Sequence, residues 1–204
     1  MPTFCPRCSA PSSPSAFDCV YCGGELQPGG AYASTAPVQV WSDAPEIALH
    51  PMSVTKLVVM SLVSFGLYNL WWHYRNWKLR NDLRGRGVTP ALRAIFSPLF
   101  AFSLFEDVEE EVRRWGVGPG WNAVFLGIMY FLSNLLTRLP EPFWITGLAA
   151  VFILVPVQRS INAANAASAR PAPVNDQFSA VNIAGIVLGG IFLFLVVVGT
   201  FFPA

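Results

Sequence analysis

The chain has 204 residues, 53% of them hydrophobic and only 12% charged, with 13 Lys and Arg against 12 Asp and Glu for a formal net charge of +1. A soluble domain carries about 25% charged residues. This chain has about half of that, gathered between apolar blocks in the manner of a helical integral membrane protein. A net charge so close to zero excludes nucleic-acid binding through bulk electrostatics.

Residues 1–26 hold all four cysteines, as "CPRC" (Cys5, Cys8) and "CVYC" (Cys19, Cys22). Two C-x-x-C pairs separated by ten residues have the spacing of a tetrahedral four-cysteine zinc ribbon. Each turn aims two thiolates at one point, and Gly23 follows the second pair where backbone amides turn back toward sulfur; Ser9 stands at the matching place after the first. The segment has few large apolar side chains (Phe4, Phe17, Val20, Tyr21, Leu26), so core burial alone cannot fold it. A structural Zn2+ would supply the missing free energy, on the order of 10 kcal/mol or more. With all four sulfurs as ligands such a site is closed and keeps no open position for catalysis. Two disulfides, or redox-active thiols, are the alternatives for the same residues; paired C-x-x-C spacing favours the metal. Met1 to Pro51 contains no apolar run behind a basic one, so no cleavable signal peptide is expected.

Residues 27–52, rich in Pro, Gly, Ala and Ser and without periodicity, read as a flexible linker. Its end-to-end distance would be about 25–30 Å. His50, beside Pro51, reads as a linker residue rather than a fifth ligand.

Residues 53–204 form the predicted helical membrane domain, with apolar blocks at Val54–Trp72, Ala91–Phe105, Trp121–Leu139, Phe143–Val157 and Ala180–Phe202. Spans are expected at about 121–139, 142–158 and 180–202, since a crossing needs about 20 residues. The first two blocks are interrupted, by Ser64-Phe65-Gly66 and by Ser97-Pro98, and read as broken or re-entrant segments over 54–84 and 91–115. Arg75, Lys78, Arg80, Arg84 and Arg86 lie between them, which assigns that loop to the cytoplasm. A first block that simply crossed would leave the cysteines outside, with zinc thiolates facing an oxidising environment. A block that dips in and returns keeps the cysteine head inside and leaves Arg138 as the one cation outside. The charge distribution favours the second arrangement.

Trp71, Trp72, Tyr74 and Trp77 then mark the interface, Lys78 and Arg80 meet lipid headgroups, and His73 belongs to the same belt. In "EDVEEEVRRWG" the i,i+4 pairs Glu109–Arg113 and Glu110–Arg114 read as a solvated helical face. Gly185 and Gly189 have GxxxG spacing, which serves close packing within the subunit or a homo-oligomer. Asn162 and Asn165 read as a polar helix exit. No Ser/His/Asp set, HExxH, P-loop or dinucleotide fingerprint occurs, so an enzyme is not expected.

At "KLVVMSLVSFGLYNLWWHYRNWKLRND", "ALRAIFSPLFAFSLF" and "PVQRSINAANA" the chain resembles a group of uncharacterised bacterial membrane proteins. The likeness lies in a lysine-led apolar run broken by a Gly-[Ile/Leu]-Tyr turn, an aromatic-basic exit, a Ser-Pro or Ala-Pro break and a late Gln-Arg-x-Ile-Asn segment. It implies a multi-pass protein of the bacterial inner membrane and brings no activity with it. The resulting expectation is a lipid-embedded protein with a cytoplasmic N-terminus, whose ribbon is an adaptor for a cytoplasmic protein partner. With Arg7 as the ribbon's only cation, a nucleic-acid partner is not expected. The alternative is a subunit of a small oligomeric transporter or channel, with the broken segments lining a cavity.

Overall fold

Ser64, Phe65 and Gly66 decide the path of the first apolar block. In the computed structural model, which describes residues 3–5, 11–12, 18–19, 22–24, 47–85 and 87–201, helix α1 (Val54–Val63) stops there and helix α2 (Leu67–Arg84) begins. Phe65 (φ 51°) and Gly66 (φ 83°) are successive left-handed residues, a conformation that costs glycine nothing. The Gly66 amide closes back on the Ser61 carbonyl at 2.8 Å, and Ser64 Oγ accepts from the Tyr68 amide at 3.0 Å to start the new helix. The chain reverses. His50 and Asn76, 26 residues apart, share a 3.0 Å hydrogen bond, whereas an unbroken helix would hold them about 39 Å apart.

The second block also turns back. Helix α3 (Pro90–Ile95) ends at Phe96, and helix α4 (Ser97–Arg114) opens with Pro98, whose missing N–H suits a first turn. Arg93 lies over the Trp77 ring, 4.3 Å from its centroid, and by Glu111 the chain has returned to Arg80. Helices α5 (Ala123–Leu136) and α6 (Ile145–Ala167) continue the pattern. The Ala123 amide donates to Glu109 beside the α4–α5 loop, and Ser133 and Thr146 exchange hydroxyl-to-carbonyl hydrogen bonds beside the α5–α6 turn. Helix α7 (Ala180–Phe201) runs parallel to α1, from Lys56 beside Gln177 to Val63 beside Gly189. Near the N-terminus, β1 (Thr3–Phe4) and β2 (Pro11–Ser12) pair antiparallel, Thr3 opposite Ser12.

The bundle therefore has two distinct ends. One gathers the starts of α1, α5 and α7 with the final turns of α2, α4 and α6, and it carries Arg75, Arg80, Arg84, Arg113 and Arg114. The opposite end holds the 64–66 turn, which meets Trp144 and Phe192 through Phe65, and the α5–α6 turn with Arg138. Between them Trp72, Phe105, Leu104, Val151 and Leu154 pack fully buried.

Two helices, α6 and α7, are long and apolar enough to cross a membrane. The 121–139 block forms the 14-residue helix α5, about 21 Å long. Asn165 marks the exit of α6, in its last turn with its side chain bonded to the Ala172 backbone, whereas Asn162 lies inside the helix, which continues to Ala167. The linker reading also needs correction at its end: Ile47, Ala48, Leu49, His50 and Met52 are buried in the core, while residues 25–46 lie outside the described residues.

Of the two glycines with GxxxG spacing, Gly189 is the contact. A Cβ there would sit 2.2 Å from the Val63 carbonyl oxygen, whereas one at Gly185 would meet nothing within 4 Å. Close packing thus occurs inside the chain, between α7 and α1. Gly189→Leu is expected to lower stability by about 3 kcal/mol, read as earlier thermal unfolding in mild detergent, with Gly185→Ala unchanged.

Candidate metal centre and the strap that anchors it

The Sγ atoms of Cys5, Cys19 and Cys22 all lie within 4.8 Å of one another, and the three residues can hold a metal ion. The Cys5–Cys22 sulfur separation is 3.6 Å. A disulfide needs about 2.05 Å, and a tetrahedral thiolate site with bonds near 2.3 Å has sulfur edges of about 3.8 Å, so the spacing fits a metal. Cys5 and Cys19 are buried and Cys22 is half-buried. The Cys19–Gly24 loop is closed by its own backbone, with Cys19 N to Gly24 O at 2.7 Å and Gly23 N to Cys19 O at 2.8 Å. The Gly24 amide points at Cys22 Sγ, 3.4 Å away, which stabilises a thiolate. Cys8, the fourth predicted ligand, lies outside the described residues.

This head rests on the cationic end of the bundle. Arg75, nearly buried and 5.6 Å over the Trp71 ring, donates from Nη2 to the Cys19 carbonyl at 3.1 Å. Sequence reasoning used Arg75 only as one charge in a cytoplasmic loop; its partner is brought to it by the tertiary fold.

Below the head runs the extended segment from Ile47 to Ser53, threaded between helices. Irregular backbone inside a helical bundle has little strand pairing, here a single bridge to Asn175, so side chains must satisfy most of it. Asn76 Oδ1 accepts from the His50 amide, and Gln158 Nε2 donates to the His50 carbonyl at 3.2 Å. Asn162 takes both sides of Met52, accepting from its amide at 3.2 Å and donating to its carbonyl at 2.8 Å. Gln158 Oε1 accepts in turn from Trp72 Nε1 at 2.6 Å. Asn175 completes the cover through its backbone, with Asn175 N to Pro51 O at 3.1 Å and Ser53 N to Asn175 O at 3.2 Å. These amides form a clasp that sequence reasoning missed. The signal available was an apolar triplet, Ile47-Ala48-Leu49, closing an otherwise polar linker.

The acidic run is likewise only half a solvated face. Glu109–Arg113 and Glu110–Arg114 pair on the surface as expected, but Glu111 is fully buried. It accepts from Arg80 Nη1 at 2.9 Å, Arg84 Nη2 at 2.5 Å and, more weakly, the Ala48 amide at 3.4 Å. Asp107 joins Arg80 at 3.4 Å. Arg80 therefore meets carboxylates rather than headgroups. His73, read as an interfacial residue, is fully buried against Tyr130 and Phe105.

His50 is buried with its ring edge-on to Trp71, 5.3 Å between centroids. Burial pushes its pKa down to about 3, helped by the positive charges of Arg75 and Lys56. For Glu111, burial alone would raise the pKa. The hydrogen bond and charge of Arg84, the Ala48 amide and the Arg80 charge outweigh that and hold it below the usual carboxylate range.

Comparison with protein-family models, curated proteins and solved structures found no match.

Two expectations follow from this end of the bundle. The folded state keeps His50 neutral, so its contribution is intact above the unfolded value near 6.5. Stability then falls by about 1.4 kcal/mol per pH unit as pH drops toward 3, and in unfolding titrations His50→Gln is expected to flatten the slope between pH 6.5 and 5. Glu111, whose folded pKa is depressed, adds a loss only at lower pH, as its carboxylate protonates. Glu111→Gln, leaving Arg80 buried beside an uncharged amide, is expected to cost about 3–5 kcal/mol at pH 7 by the same measurement.

Proposed function

We propose that this chain is a multi-pass protein of a bacterial inner membrane whose cytoplasmic, zinc-held N-terminal head serves as an interaction module. The observation that carries the reading is the coincidence of the three clustered cysteines with the cationic end of the bundle, through the Arg75–Cys19 hydrogen bond. Arginines gather on the cytoplasmic side of membrane proteins, and that side is reducing, where thiolates persist as metal ligands. On this reading α5 with the turn after it carries the chain to the far side, α6 and α7 cross the bilayer, and their exposed apolar side chains, such as Phe152, Leu188, Phe192 and Phe194, face lipid. The α1–α2 hairpin enters and leaves on the cytoplasmic side, its broken backbone at Ser64–Gly66 supported by α6 and α7. The head is a closed Cys5, Cys8, Cys19, Cys22 site with structural Zn2+, and its role is non-enzymatic: it presents a folded surface to a cytoplasmic protein.

A small oligomeric transporter or channel is the second reading. What favours it is buried polarity in the first hairpin, where Ser61 Oγ, Asn69 Oδ1 and His73 Nε2 lack a hydrogen-bond partner among the described residues. It requires a stable oligomer in mild detergent, and a monomer by light scattering would end it.

The purified chain is expected to carry one zinc per protomer, and cobalt substitution should give the visible bands of tetrahedral thiolate coordination, lost in Cys22→Ser. After metal removal, an impermeant thiol reagent should label the cysteines in inverted vesicles and leave them untouched in intact spheroplasts. Labelling in spheroplasts would overturn the reading. Removal of residues 1–26, which spares the buried 47–52 segment, should abolish partner capture while membrane insertion persists.

A further inference from the structure

Arg75 differs from the other arginines at the cationic end. Among the described residues, the ion pairs there run from Arg80, Arg84, Arg113 and Arg114 to Asp107 and the glutamates of α4, and none includes Arg75. Yet Arg75 is only 4% exposed, and its Nε has no hydrogen-bond partner among the described residues. A guanidinium taken that far out of water is costly unless an opposite charge faces it.

What faces it is the cysteine head. Arg75 Nη2 donates to the Cys19 carbonyl at 3.1 Å, and Cys22 lines the same groove as Trp71, the ring that Arg75 covers. Asp18, beside Cys19 in sequence, is exposed, whereas Cys5 and Cys19 are buried. The sulfurs of Cys5, Cys19 and Cys22 lie within 4.8 Å of one another, so any charge they share is set beside the guanidinium. Metal loading supplies that charge. Each thiol that becomes a ligand releases its proton to solvent. One Zn2+ exchanged for the protons of Cys5, Cys19 and Cys22 leaves the head one negative charge richer, and with Cys8 as fourth ligand, two.

We infer that Arg75 is the counter-charge of the loaded metal centre, so that metal occupancy and docking of the head onto the bundle are one coupled event, a claim that rests on the metal reading above. Arg75 touches no metal ligand through sulfur; it is a positioning residue that acts through charge and through the Cys19 backbone. Coupling of this kind is reciprocal: the factor by which metal strengthens docking is the factor by which the docked arginine strengthens metal binding. Loss of the ion removes the charge that offsets the burial of Arg75, and the head leaves its seat with the guanidinium uncovered. Metal supply thereby sets whether this end of the bundle is capped.

The test uses the full chain in mild detergent, with Zn2+ affinity read by competition with a chromogenic chelator. Arg75→Gln keeps a donor for the Cys19 carbonyl and drops the charge. It should bind Zn2+ about tenfold more weakly, as loss of one charged contact gives. Arg75→Lys keeps the charge and should recover most of that loss. A second arm needs no substitution: modification of Arg75 by phenylglyoxal, read by peptide mass spectrometry. It should accelerate about tenfold when the metal is chelated and slow again when Zn2+ is restored, while exposed Arg159 reacts alike throughout. Equal Zn2+ affinity in the unaltered chain and Arg75→Gln would overturn the inference, as would equal affinity in the two variants or an Arg75 rate indifferent to chelation. A chain that binds no Zn2+ sinks the metal reading itself, and a chain that binds it without these differences sinks only the coupling.

Discussion

An extended backbone segment lodged among helices is the constraint on which the rest of this structure depends. Every amide and carbonyl from Ile47 to Ser53 that enters the bundle must find a partner or cost about 1–3 kcal/mol. The bundle answers with Asn76 from α2, Gln158 and Asn162 from α6, and the backbone of Asn175 from the segment before α7. Two helices and the segment before α7 are thereby fixed to one strap. Its apolar residues Ile47, Leu49 and Met52 fill the centre of the cationic end, where the helix ends alone would leave a gap. The tight α1–α2 turn and the strap support each other: only a reversed chain brings Asn76 back to His50.

The buried ion cluster follows the same logic at higher electrostatic cost. Glu111 and Arg80, both almost fully buried, lose hydration worth several kcal/mol per ion. Three arginines and a backbone amide converge on the Glu111 carboxylate, with Arg114 the most distant at 3.7 Å, so the charge is neutralised and its lone pairs are used. The cluster joins α2 to α4 where both helices end, and its Ala48 contact ties it to the strap. Position on an otherwise apolar bundle matters too. Gathered at one end, these charges stay clear of the α5 and α7 surfaces, whose exposed side chains include Phe125, Ile128, Leu188 and Phe194.

Backbone events were legible in the sequence because single residues cause them. Gly66 permits a left-handed turn and Pro98 removes an amide, and both breaks occur where those residues stand. The final apolar block matches α7 within a residue of its expected end. The two long apolar helices were read from run length, although α6 extends past its expected end because Asn and Ser tolerate helix when their side chains find partners elsewhere. What composition could not show was which polar residues face inward. Glu109, Glu110 and Glu111 are identical in type, and only the arrival of Arg80 and Arg84 from another helix distinguishes the third. His50 and Asn162 were likewise assigned by local surroundings, and their partners lie 26 to 110 residues away. For the cysteines, the local C-x-x-C turn anticipated the Cys19–Cys22 pair, and two such turns sharing one ion anticipated the approach of Cys5.

The Arg75–Cys19 contact has a mechanical consequence. The 22 residues from 25 to 46 join two fastened points, the cysteine loop ending at Gly24 and the strap beginning at Ile47. Closure over that length keeps the head at an effective concentration on the order of millimolar beside its seat. Any protein recognising the covered face of the head competes with an intramolecular rival, so its apparent affinity reports how firmly Arg75 grips as much as how well the two surfaces match.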